Sequence, residues 1–309
     1  MNKFRGIFYA IVSAIAFGVS PILISKTYEL GNNFMMMAFI RNILVLPFIF
    51  LYIKVRRIPM TVSKDQLFKL SVLNILGTSL SLLVLYLSYT FIPVSLATSL
   101  HFIYPSIVAI LSVIVFKEYM SNLRKLAVLS SLVGVLLFID LRSGSSNLFI
   151  GIGLALLSGA AYSFYIVYMA KSGVLVMENI LIVYYGSLIS AVFLGVLTII
   201  TGKLVITSIS LEGWALILLI SIMLTFLGTM FTQMAIKSIG TTITSILATL
   251  EPIITIVLGV FLFNEKVGTV KLIASGLILL AVLLLALDQK SMARRRAKEI
   301  EKYEDIISD

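Results

Sequence analysis

Residues 104–118 read YPSIVAILSVIVFKE and residues 251–265 read EPIITIVLGVFLFNE. Laid over one another without a gap, they place Pro105 on Pro252, Phe116 on Phe263 and Glu118 on Glu265, at an offset of 147 residues. Both stretches are apolar enough for hydrocarbon, and both contain a proline, which removes a helical hydrogen bond. The second also carries Glu251 directly before its proline, although a carboxylate inside a membrane is expensive. One of these features is shared by the two stretches and the other is not.

Working outward, the same offset brings Tyr86 onto Gln233 and Gly134 onto Ala281. Nearer the N-terminus an offset of 145 aligns GIFYAIVSAIAF (6–17) with GIGLALLSGAAY (151–162), so Ser13 meets Ser158, Phe17 meets Tyr162 and Ser20 meets Tyr165. The chain is therefore two related halves. A membrane-crossing helix needs about 20 mostly apolar residues. Ten segments qualify: 4–25, 34–54, 67–90, 93–116, 125–140, 148–170, 179–201, 213–236, 241–263 and 270–288. The fifth is the shortest. Short connections such as TFIP (90–93) and KSIG (237–240) predict antiparallel hairpins. Five crossings per half force the second half to enter with opposite topology. The expected fold is all-α and integral to the membrane, with ten transmembrane helices as two inverted five-helix repeats. The expected division is 1–144, 145–288 and a charged cytoplasmic tail over 289–309. Inverted repeats are characteristic of secondary transporters, because exchanging the conformations of the halves interconverts outward-open and inward-open states.

Composition agrees. Of 309 residues, 60% are hydrophobic and 12% charged, where a soluble domain carries about 25% charged residues. The absence of cysteine and the presence of one histidine exclude disulfides, a thiol nucleophile and a His-rich metal site. The net charge of +10 suggests nucleic acid until it is located. Alternation from a cytoplasmic N-terminus puts eighteen Lys and Arg residues inside and five outside, with Arg41 alone inside a span. That bias orients the protein in a cell membrane with both termini cytoplasmic. The first span begins like a signal peptide, but its apolar run is longer and it has an internal copy, so it is read as a retained helix.

The paired YPSIVAILSVIVFKE and EPIITIVLGVFLFNE segments, with AFIRNILVLPFIF (38–50) in the second helix, resemble the EamA-type ten-helix members of the drug/metabolite transporter superfamily. The resemblance covers residues 1–288. It implies a proline in the fourth and ninth helices, an acidic residue at the following helix end and an arginine early in the second. It says little about substrate, since such proteins move amino acids, sugars, nucleotide derivatives, amines and vitamins. Some relatives resemble lipid or lipid-linked sugar flippases, which stands as the alternative function. One departure is Tyr104 in the first half where the second has Glu251.

Three ionisable side chains, Arg41, His101 and Glu251, lie inside spans, where such residues face the bundle interior and mark a pathway. Glu251 is the expected carrier of a proton or a substrate cation; the bland alternative is a carboxyl that steadies the proline break. Arg41 could hold an anionic group or pair with Glu251, or snorkel to the interface. His101 stands one turn before Tyr104, although a lone buried histidine is commonly a satisfied hydrogen-bonder. Pro105 and Pro252 are the expected hinges. Ser158, Tyr162 and Tyr165 fall at i, i+4 and i+7 on one helix face, with Ser13, Phe17 and Ser20 as their counterparts. Hydroxyls at such spacing are also ordinary membrane-helix glue, but a buried tyrosine hydroxyl wants a partner that lipid lacks. The expected substrate-binding set is thus Glu251, Tyr104, His101, Tyr162, Tyr165, Phe17, Ser20, Tyr86, Gln233 and Arg41, contacted between the halves near midmembrane. No catalytic residue, metal or cofactor is expected. The partners expected are a small polar metabolite, amino-acid-like or an organic amine, and membrane lipids, with proton coupling through Glu251. No nucleic acid is expected, and the assembly is a monomer or homodimer.

Overall fold

A computed structural model describes residues 3–117, 120–138, 146–248, 250–263, 268–270, 272–285 and 287–288. Glu118, Glu265 and the 289–309 tail lie outside the described residues. The described residues are helical with short connections: α1 Lys3–Glu29, α2 Phe34–Val55, α3 Lys64–Ser88, α4 Val94–His101, α5 Tyr104–Phe116, α6 Asn122–Phe138, α7 Ser146–Ser172 and α8 Asn179–Ile200. Then come α9 Leu211–Ile220, α10 Thr229–Ala248, α11 Leu250–Phe263 and α12 Leu272–Leu285. Seven spans among the described residues are long and apolar enough to cross a membrane, and α11 and α12 are shorter apolar helices.

Polar side chains start the helices where the chain leaves the apolar layer. Asn33 accepts from the backbone N–H groups of Met35 and Met36 at the head of α2. Ser63 and Gln66 form a reciprocal capping box before α3, and Ser210 accepts from Gly213 before α9, each satisfying donors that the first turn leaves open. Large apolar residues such as Phe4, Ile200, Leu211 and Phe261 point outward, while Ser13, Ser79, Ser158, Ser163 and Thr255 are buried. Small hydroxyl residues between helices let backbones approach, the usual solution where lipid is as apolar as the core.

Packing follows the repeat. The first span lies against the eighth and ninth, and the sixth against the third and fourth; the second and seventh lie against each other. Exchanging the halves converts each pairing into its counterpart. Residues 34–55 and 179–200, which form α2 and α8, are offset by 145 at both ends. Each third helix of a half also contains a π-helical stretch, Leu73–Ser79 within α3 and Ser221–Gly228 between α9 and α10. π turns gather at functional positions.

Two sequence expectations change. The span expected over 93–116 is two helices, α4 and α5, parted at Phe102 and Ile103. The turn expected at 237–240 contains no non-helical residue, for helical turns continue on both sides of it; unlike TFIP, that tetrapeptide has no proline. The chain still doubles back there. Gly228 approaches Phe17, Ser238 and Ile239 sit against Gly6, and Glu251 returns to Gly18.

Candidate functional site

The site is built on the first proline joint. Pro105 has no N–H to give the His101 carbonyl four residues earlier, and α4 ends at His101. The Phe102 and Ile103 N–H groups bond back to Thr98 and Leu100 at 3.1 Å, and the next helix restarts with Ser106 N–H on Ile103 O at 3.0 Å. Pro105 therefore sits in the first turn of α5, where its missing donor is harmless. The sequence suggested a bend; the structure has a full break. Pro252 follows Leu250 and Glu251, with described helix on both sides; Thr249 before them lies outside the described residues.

Helix α7 covers the first joint and α1 the second. A Cβ added to Gly159 would fall 2.8 Å from the His101 carbonyl oxygen, and the single Ser163 hydroxyl hydrogen is shared between Gly159 O at 2.8 Å and the Tyr104 carbonyl at 3.1 Å. In the other half, a Cβ on Gly18 would fall 2.8 Å from the Glu251 carbonyl oxygen, and Thr255 Oγ1 donates to Gly18 O at 2.7 Å. Gly18 is the repeat partner of Ser163, and Glu251 of Tyr104. Each proline is thus packed in the same way, with a glycine against a backbone carbonyl and a hydroxyl bonded to another.

These joints bring five of the expected residues together. The Tyr104 and Tyr162 rings meet edge-on at 4.9 Å, and His101 lies 5.6 Å from each. Tyr165 stacks on Tyr162 at 5.6 Å; its Cβ abuts Gly77 of the first π stretch. Glu251 lies within electrostatic range of Tyr104 and Tyr162. All five are only partly buried despite their place inside the bundle, so they border open space. The Glu251 carboxyl has no hydrogen-bond or ionic partner among the described residues.

The other expected residues lie elsewhere. Arg41, 8% exposed, donates through Nη1 to the Tyr86 hydroxyl and through Nη2 to Thr225 Oγ1 at 3.1 Å, while Nε has no partner among the described residues. Arg41 is thus tied to Tyr86 and to the second π stretch, and is not paired with Glu251. The Ser20 hydroxyl turns back to Ala16 O at 2.5 Å, and Phe17 rests against Gly228. The Gln233 side chain lies outside the described residues. Sequence reasoning missed Thr225; its signal was the 147-residue offset that places it on Thr78. It also missed the buried pair Arg124–Asp288, whose Nε–Oδ2 distance of 2.7 Å joins α6 to the end of the last span.

The model of the EamA-like transporter family matches residues 4–139 and again 149–287. An uncharacterized transporter from Synechocystis sp. is 26% identical over 221 residues, 69% of this chain and 64% of the relative. The match thus spans less than two thirds of that relative's length. A solved crystal structure superposes over 93% of this chain and 98% of its own with a TM-score of 0.66; at 12% identity the likeness shows the fold alone.

Proposed function

Because this chain belongs to the EamA-like transporter family, we propose that it is a secondary transporter carrying a small polar metabolite, amino-acid-like or an organic amine, by alternating access. The two halves, 1–144 and 145–288, act as inverted repeats, with both termini and the 289–309 tail cytoplasmic in a plasma or inner membrane. Substrate sits between them against Glu251, Tyr104, Tyr162, Tyr165 and His101. Arg41 and Tyr86 close the outer side of that space, and Pro105 and Pro252 are the hinges.

The observation that carries this reading is the Glu251 carboxyl, which borders open space within the bundle beside two tyrosines and has no protein partner among the described residues. Buried charges are paired unless function supplies the partner. A substrate ammonium would neutralise the carboxylate while the tyrosine faces receive the cation. With no substrate bound, a proton fills the same role, which couples the two fluxes.

Uptake of radiolabelled amines and amino acids into proteoliposomes tests it. Saturable uptake that collapses in Glu251→Gln is expected. Scrambling of labelled lipid without uptake of any water-soluble solute would sink the reading and favour a flippase.

A further inference from the structure

The single histidine, His101, is held in one tautomer by its neighbour. Ser158 Oγ carries one hydrogen and lies 2.6 Å from the Ala155 carbonyl oxygen, which can only accept. That hydrogen is committed, so Ser158 meets His101 Nδ1, 2.8 Å away, as an acceptor. Nδ1 therefore bears the ring proton, and Nε2 of the neutral imidazole holds a lone pair. Ser158 is fully buried, and its backbone carbonyl is pinned by Ser81 Oγ at 2.9 Å.

No described residue donates to Nε2. The ring lies 5.6 Å from Tyr104 and from Tyr162, the same two tyrosines that Glu251 approaches. One aromatic cluster thus borders two acceptors, an imidazole lone pair and a carboxylate, and neither has a donor among the described residues.

The geometry points to a substrate whose ammonium has at least two N–H bonds, one donated to Glu251 and the other to His101 Nε2, with Ser158 the positioning residue that keeps the lone pair inward. This rests on the transport function proposed above and narrows its substrate to primary and secondary amines. A quaternary ammonium satisfies the charge and the tyrosine faces, but it leaves Nε2 desolvated without a donor. Sites built around a hydrogen bond reject ligands that lack it.

Because there is one histidine, nitrogen NMR of [15N]histidine-labelled protein in nanodiscs reports on this ring alone. The expected resting spectrum has protonated Nδ1 and unprotonated Nε2, and Ser158→Ala shifts the balance toward Nε2–H. Titration then compares ethanolamine with choline and glycine with glycine betaine. The primary amines should move the Nε2 signal at concentrations at least about tenfold below their methylated twins, and Ser158→Ala should erase the difference. A resting Nε2–H, an equal or tighter response to the methylated twins, or no response to any of the four overturns the inference. The wild-type spectrum carries the tautomer even if Ser158→Ala fails to fold. Proteoliposomes that accumulate choline or betaine but no primary amine overturn this inference and leave transport standing; failure to move any solute overturns the transport reading itself.

Discussion

The first and second halves surround Pro105 and Pro252 with similar contacts and different side chains. Beside Pro105 the Ser163 hydroxyl reaches the Tyr104 carbonyl and His101 and Tyr104 face inward; beside Pro252 Gly18 presses on the Glu251 carbonyl and Glu251 faces inward. The repeat partner of His101 is Ala248, and that of Glu251 is Tyr104. The backbone joint is the common part, and the polar groups that a substrate would meet are the private part of each half. Mechanical roles therefore belong with what is duplicated, and chemical roles with what is not.

The sharpest way to break that division is Glu251→Gln. Losing a charge-assisted hydrogen bond worth about 1.5–3 kcal/mol lowers apparent substrate affinity by about ten- to a hundredfold, read as KM in proteoliposomes. Unchanged KM would place Glu251 among the mechanical parts. Next come Gly18→Ala and Gly159→Ala, where the new Cβ meets a backbone oxygen at 2.8 Å in both halves. Overpacking should destabilise each by about 1–3 kcal/mol, measured by thermal unfolding in detergent, and by similar amounts if the joints are equivalent. Ser163→Ala tests the difference between them: loss of its bond to the Tyr104 carbonyl is expected to cost about 0.5–1.5 kcal/mol. Smallest is Gly153→Ala on the same helix, where nothing lies within 4 Å of the added Cβ. It should stabilise by about 0.5–1 kcal/mol, separating crowding at the joint from any general intolerance of the helix to alanine.

Much of this was legible in the sequence. The spans follow from apolar length, and the offset of the two prolines gives the two halves. The stripe of Ser158, Tyr162 and Tyr165 follows from helical spacing, and these three do face the joint. What could not be read has physical causes. A proline tells which carbonyl is freed but not whether the chain bends or stops, since that depends on how another helix packs there, here α7 with Gly159 against the His101 carbonyl. The partners of Arg41 come from residues 45 and 184 positions away in sequence, and nothing local encodes such a pairing. The π stretches are as apolar as the α turns around them, so their composition betrays nothing.

Those stretches carry a consequence of their own. A π turn holds one residue more than an α turn, and both halves hold theirs at repeat-equivalent places, 73–79 and 221–228. Each third helix is thus wound one residue looser over the same part of its length, which turns the side chains beyond the stretch to a different face than an unbroken α-helix would. Arg41, whose counterpart is Gly186, reaches across to Thr225 in the second of these stretches.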